Sequence, residues 1–143
     1  MPTPHPRLAV FTPAEAVPLK ADPINPAWVL QGSPLARSGC HSNNVDGWAA
    51  TYLWDCTAGR FNWHYEWEET VMILEGEVKV TDAAGRTHLL VPGSIGYFPA
   101  GSHFVWEVTA YVRKLAFLRR GVPWPARVVG RLLRIVSGVL RKR

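Results

Sequence analysis

The chain has 143 residues, 48% of them hydrophobic, and a formal net charge of +5. That length suits one domain, and the apolar share excludes a disordered chain. The charge is confined to one end: Arg127, Arg131, Arg134, Arg141, Lys142 and Arg143 stand there without an acid, while residues 1–126 carry 10 Lys and Arg against 11 Asp and Glu. A nucleic-acid module would spread basic residues over a folded face, so no nucleic-acid partner is expected.

Residues 1–45 hold eight prolines and little periodicity, which predicts an extended arm with short strands. Ala27–Leu30 is one such strand, ahead of a turn at Gln31-Gly32-Ser33-Pro34. The N-terminus lacks the apolar core of a signal peptide, and no apolar run approaches bilayer length. Cys40 and Cys56 form no C-x-x-C pair and fit a reducing compartment, so the expected location is the cytoplasm.

From Trp48 onward the chain reads as strands. "WAATYLWDC" ends at a turn, Thr57-Ala58-Gly59. "RFNWHYE" alternates Phe61, Trp63 and Tyr65 with Asn62, His64 and Glu66, the period of two of a half-buried strand. "TVMILEGEVKVTD" and "RTHLLV" flank the turn Asp82-Ala83-Ala84-Gly85 and predict a hairpin. Pro92-Gly93 turns into "SIGYFPAG", and "HFVWEV" and "VRKLAFLRR" follow. Many short strands without intervening helices predict an all-β sandwich or barrel. After Pro123-Trp124-Pro125 the period changes. Val128, Val129, Leu132, Leu133, Ile135, Val136, Val139 and Leu140 share an arc of roughly 160° at helical spacing, with Arg127, Arg131, Arg134, Arg141 and Lys142 opposite. The domain reading is therefore an arm over 1–45, a barrel over 46–120 and a basic amphipathic helix over 121–143.

Two glycine-anchored strings carry a family likeness. They are G-R-F-N-W-H-Y-E-W-E-E-T-V-M-I-L-E-G, residues 59–76, and G-S-I-G-Y-F-P-A-G-S-H-F, residues 93–104. Glu69 with Gly76, and Gly93 with Pro99 and Gly101, resemble the two-motif signature of the cupin superfamily. Trp63, Tyr65, Glu69, Ile73-Leu74-Glu75-Gly76, Val78, Val80, Phe98-Pro99-Ala100-Gly101, Trp106, Val108 and Val112-Arg113-Lys114 resemble the (S)-ureidoglycine aminohydrolase-like subfamily, also called DUF861. Ser94 departs from that pattern, which has Asp there. The likeness covers roughly residues 46–118. It implies a single small cupin barrel of the RmlC-like jelly-roll type, with a homodimer as the expected assembly.

The resemblance also implies a metal site of two His on one strand, a Glu and a third His. Here Glu69 alone stands in place. The first pair falls on Trp63 and Tyr65 in one register and on Asn62 and His64 in the other. Burying Phe61, Trp63 and Tyr65 gains roughly 1.5–3 kcal/mol for each large apolar side chain, so Trp63 and Tyr65 are placed inward and His64 outward. The third His position is Phe104, with His103 one residue off, and Val108 stands where the pattern has Asn. No metal and no cofactor is expected. A bulge at Asn62 would return His64 to the interior, and His64, Glu69 and His103 are the ligand set of that alternative.

An inward Glu69 must find a partner. Lys114 or Arg113 is the candidate, and Glu69 and Lys114 are the candidate acid and base if the pair is buried. The expected ligand pocket comprises Trp63, Tyr65, Glu69, Phe104, Trp106 and Lys114. Three functions stay open. One is a metal-free cupin that binds a small organic ligand. The second, implied by the resemblance, is a metal-assisted ureidoglycine aminohydrolase-like enzyme. The third is an interaction module docking through the basic tail, whose residues 126–143 suit an anionic membrane surface.

Overall fold

The structure is a computed structural model that describes residues 8–140, with side chains described through residue 134. Among the described residues nine strands form one antiparallel sheet: β1 (Lys20–Ala21), β2 (Val29–Gly32), β3 (Ala36–Asn43), β4 (Ala49–His64), β5 (Glu68–Gly76), β6 (Val78–Thr81), β7 (Thr87–Leu90), β8 (Ile95–Phe98) and β9 (His103–Arg119). A helix, α1 (Trp124–Leu140), follows. The sheet does not close on itself by hydrogen bonds; its order is β1-β3-β4-β9-β5-β8, with β2 on β4, β6 on β9 and β7 on β6.

β4 and β9 are long enough to serve two layers. The first half of β4 pairs with the second half of β9, Ala49↔Arg119 through Thr57↔Tyr111, and this layer carries β1, β3, β5 and β8. Beyond a register shift between Thr57 and Gly59, Gly59↔Val108 through His64↔His103 form the other layer with β2, β6 and β7. Trp54, Cys56, Val112 and Ala116 from one layer meet Phe61, Val78, Val80, Trp106 and Val108 from the other in a single core. Two layers bridged by shared strands around one core are the jelly-roll architecture expected of a small cupin.

Three local expectations are corrected. Thr57-Ala58-Gly59 is no turn: it is a bulge inside β4, held as Thr57 N donates to Leu35 O and Thr57 Oγ1 accepts from Leu35 N. "HFVWEV" and "VRKLAFLRR" are likewise one strand, β9. Ala27–Leu30 begins as a 3-10 turn, Pro26–Trp28, because the Asn25 side chain accepts from Ala27 N and Pro26 presets the first φ; the strand starts at Val29. The Asp82–Gly85 hairpin forms as expected, with Gly85 at φ +78°. "TVMILEGEVKVTD" splits at Gly76, whose positive φ (+70°) turns the chain against the Tyr111 carbonyl.

The proline-rich arm belongs to the sheet. β1 pairs with β3, β3 with β4, and β2 with β4. Residues 14–18 cross the outer face: Arg113 Nη2 donates to Ala14 O at 2.6 Å, and a Cβ at Gly39 would meet Pro18 O at 2.2 Å. Beneath this strap Asp55 is buried, bound by Arg37 (3.0 and 2.5 Å) and by the Tyr111 hydroxyl (2.9 Å). α1 starts at Trp124, inside the expected 121–143, with Pro125 in its first turn, where a missing N–H costs nothing. Val128, Val129 and Leu132 remain exposed. The expected apolar positions from Ile135 to Leu140 have side chains outside the described residues.

Candidate functional site

The inward face of β4 changes parity at the bulge. Trp54 and Cys56 point into the core before it, and Phe61 and Tyr65 after it. Phe61 and Tyr65 are buried, Trp63 is half-buried, and His64 and Glu66 are exposed. The register is the aromatic-inward one. β4 and β9 keep step without a bulge from Gly59↔Val108 to His64↔His103, so His64 stays outward. His64 and His103 are cross-strand neighbours on the outer side, stacked with centroids 5.6 Å apart, and Trp28 lies 4.8 Å from the His64 ring. Glu69 is inside. The alternative set of His64, Glu69 and His103 is thus not brought together, because the bulge it required falls at Thr57–Gly59 instead.

Glu69 and Lys114 do meet. Lys114 Nζ donates to Glu69 Oε1 at 2.6 Å, with the side chains 3% and 9% exposed. The ammonium also lies 4.8 Å from the Trp106 ring centre, 4.9 Å from Trp54 and 5.8 Å from Trp63. Indole faces are electron-rich, so this cage replaces part of the hydration that burial removes. Arg113, the other candidate partner, alternates to the opposite face and reaches the arm.

Above the pair lies a cavity in two chambers. The inner one, about 160 Å³, is bounded by Trp54, Trp63, Glu69, Lys114, Tyr52 and Leu118. The outer one, about 580 Å³, is bounded by Trp63, Tyr65, Glu69 and Tyr52 on the sheet and by Asp22, Asn25 and Trp28 of the arm. Asp22, Tyr52, Trp63, Glu69 and Leu118 border both, so the chambers are contiguous. The volume is that of a site for a small organic molecule.

Of the six expected pocket residues, Trp63, Tyr65, Glu69 and Lys114 border the cavity. Trp106 stands behind the wall, 1% exposed, beneath the ammonium. Phe104 packs edge-on against Tyr65 and Phe98 and fronts a separate hollow with Asp82 and Arg86. Sequence reasoning missed Trp54, Tyr52, Trp28 and Asp22. The first two are even-numbered on β4 and join odd-numbered Trp63 only through the bulge; the signal was Gly59, whose Cα packs so close to Pro34 that a Cβ would lie 2.7 Å from its ring.

Two cavity residues hold polar atoms without a hydrogen bond, the Tyr65 hydroxyl and Trp54 Nε1; Trp106 Nε1 is a third such atom nearby. Burial pushes the Tyr65 hydroxyl well above its ordinary pKa, the charge of Glu69 adds to this, and the Trp106 N–H opposes it.

The residues present do not fit a transition ion of the kind the superfamily holds. At the ligand positions stand Trp63, Tyr65, Glu69 and Phe104. The single carboxylate is already matched by the Lys114 ammonium, and an indole and a benzyl ring offer no donor. Among the described residues no three His, Cys, Asp or Glu gather as a metal site.

Solved structures share the fold. A putative ethanolamine utilization protein Q from Salmonella typhimurium is 24% identical, with a TM-score of 0.54, over 62% of this chain and 72% of that one. A DUF861-family protein of unknown function from Pseudomonas syringae is 21% identical, TM-score 0.66, over 72% of this chain and 45% of its own length. The polyketide cyclase RemF from Streptomyces resistomycificus is 17% identical, TM-score 0.57, over 81% and 82%. No curated protein matches. The family model of the EutQ-like cupin domain matches residues 44–116, just over half of the 143 residues, so this chain belongs to the EutQ-like cupins of the cupin superfamily.

Proposed function

We propose that the chain binds a small organic molecule in the aromatic cavity over Glu69, with protein groups in place of a metal. The observation that carries this reading is the buried Glu69–Lys114 pair at the inner end of the cavity. A buried ion pair is often no more stable than apolar side chains of the same volume. Its position beside a chamber bordered by indoles, with Glu69 at the wall of both chambers, supports a role in recognition or proton transfer. The metal-assisted hydrolase alternative finds no donor set among the described residues.

The test is a thermal-shift screen of small polar and aromatic metabolites. Hits should vanish in Trp63→Ala; hits that survive it place the site elsewhere. Metal analysis of the purified protein should give well below one equivalent. One equivalent of Mn, Fe, Ni or Zn, lost in Glu69→Gln, overturns the metal-free part.

A second reading concerns α1. Val128, Val129 and Leu132 are exposed, as is Trp124 at the helix start, and Arg127 and Arg131 stand on the opposite arc. An apolar stripe with basic residues opposite suits an anionic membrane surface. No helix among the described residues is long and apolar enough to cross a membrane, so the contact would be peripheral.

A further inference from the structure

The chemistry of the cavity wall narrows the ligand class. The outer chamber is bordered by three carboxylates, Asp22, Glu66 and Glu69, and by no Lys or Arg. Its other walls include Trp28, Trp63 and Tyr52. The charges that approach from other elements are already engaged. Lys114, behind Glu69, cancels that one carboxylate. Arg120 lies 4.8 Å over the ring of Trp67, which borders the same chamber, and Arg119 pairs with Glu68 in an adjoining hollow that shares Glu69 and Leu118 with it. His64 borders the rim and is stacked between Trp28 and His103. Asp22 and Glu66 are exposed and make no ion pair or side-chain hydrogen bond among the described residues.

Carboxylates beside indole and phenol faces recognise one kind of molecule well. A cation gains from the negative faces of the rings and from the carboxylates together. An anion meets like charge from Asp22 and Glu66.

We infer that the ligand is an organic cation, a protonated amine on a small apolar or aromatic body. The ammonium is drawn to the uncompensated carboxylates of Asp22 and Glu66, and the body lies against Trp28 and Trp63. This rests on the cavity being the binding site. The amine end is the part the carboxylates select; the chambers set only the size of the rest.

Three isosteric probes test the inference by calorimetry at neutral pH: benzylamine, benzyl alcohol and benzoate. Benzylamine should bind at least about fivefold more tightly than benzyl alcohol, and benzoate most weakly. Added salt should shrink that preference. Asp22→Asn, at an exposed residue with no side-chain bond, should weaken benzylamine and leave benzyl alcohol unchanged. Trp28→Ala should weaken both. Equal affinities, or tighter benzoate, with binding still sensitive to Trp28→Ala, overturn the ligand class and leave the cavity standing. Binding of no probe, or binding indifferent to both Trp28→Ala and Trp63→Ala, overturns both.

Discussion

Glu69 and Lys114 are not cross-strand partners, yet their charges lie 2.6 Å apart inside the protein. Glu69 stands opposite Leu118 and Phe98, and Lys114 opposite Trp54 and Ile73. The long lysine stem carries the ammonium into the interior, among three indoles, where it reaches the carboxylate.

Breaking this pair from one side leaves the other charge buried and unmatched. Glu69→Gln and Lys114→Met are each expected to cost about 3–5 kcal/mol of unfolding free energy. The double variant Glu69→Gln/Lys114→Met should recover most of that loss. Urea unfolding of the four proteins measures it. Additive single losses would show that the charges are not coupled.

Tyr65→Phe should stabilise the protein by about 1 kcal/mol, since it removes a buried hydroxyl that makes no well-formed hydrogen bond and has only the Trp106 N–H near it. The ring keeps its stacking on Phe98, at 4.6 Å and 5°. The melting temperature reports the change. A loss of stability instead would mean that the hydroxyl is bonded in solution.

The two cysteines should differ sharply. Cys40 is exposed and Cys56 buried. Burial, helped by the Asp55 charge, pushes the Cys56 thiol up to about 12. Its folded pKa thus lies above its unfolded one, near 9. The stability it contributes is complete below about pH 9 and is lost as pH rises towards 12. Cys56→Ala should flatten that alkaline decline. At neutral pH a thiol reagent should label one cysteine per native chain and two in urea.

Gly76 and Gly85 share a positive φ, +70° and +78°, but not their surroundings. A Cβ at Gly76 would lie 1.9 Å from the Tyr111 carbonyl oxygen, while one at Gly85 meets nothing within 4 Å. Gly85→Ala should cost about 1–2 kcal/mol, the backbone penalty alone. Gly76→Ala should cost clearly more. Similar losses would mean that β5 and β9 separate easily at Tyr111.

The peripheral-membrane reading of α1 is tested by sedimentation with anionic vesicles. The full chain should co-sediment in low salt, and a chain ending at residue 123 should stay in solution. Equal behaviour of the two removes the reading.

The sequence by itself determined an all-β sandwich or barrel, because glycine turns and strand alternation are local signals that recur at fixed spacing, and its likeness to the cupins implied the jelly-roll. It determined which face of residues 61–65 is buried, since three aromatics on one side outweigh Asn62, His64 and Glu66 in transfer free energy. It also paired Glu69 with a cation from "VRK". Only the tertiary structure chose Lys114 over Arg113, because β9 turns alternate residues inward and outward and the arm offers Arg113 the Ala14 carbonyl. Only the tertiary structure made the cavity, whose wall joins Tyr52 and Trp54 to Trp63 across a bulge and adds Asp22 and Trp28 from the arm. A one-residue register shift and a contact between distant segments leave no period in the sequence, so that wall could not be read before the chain was folded.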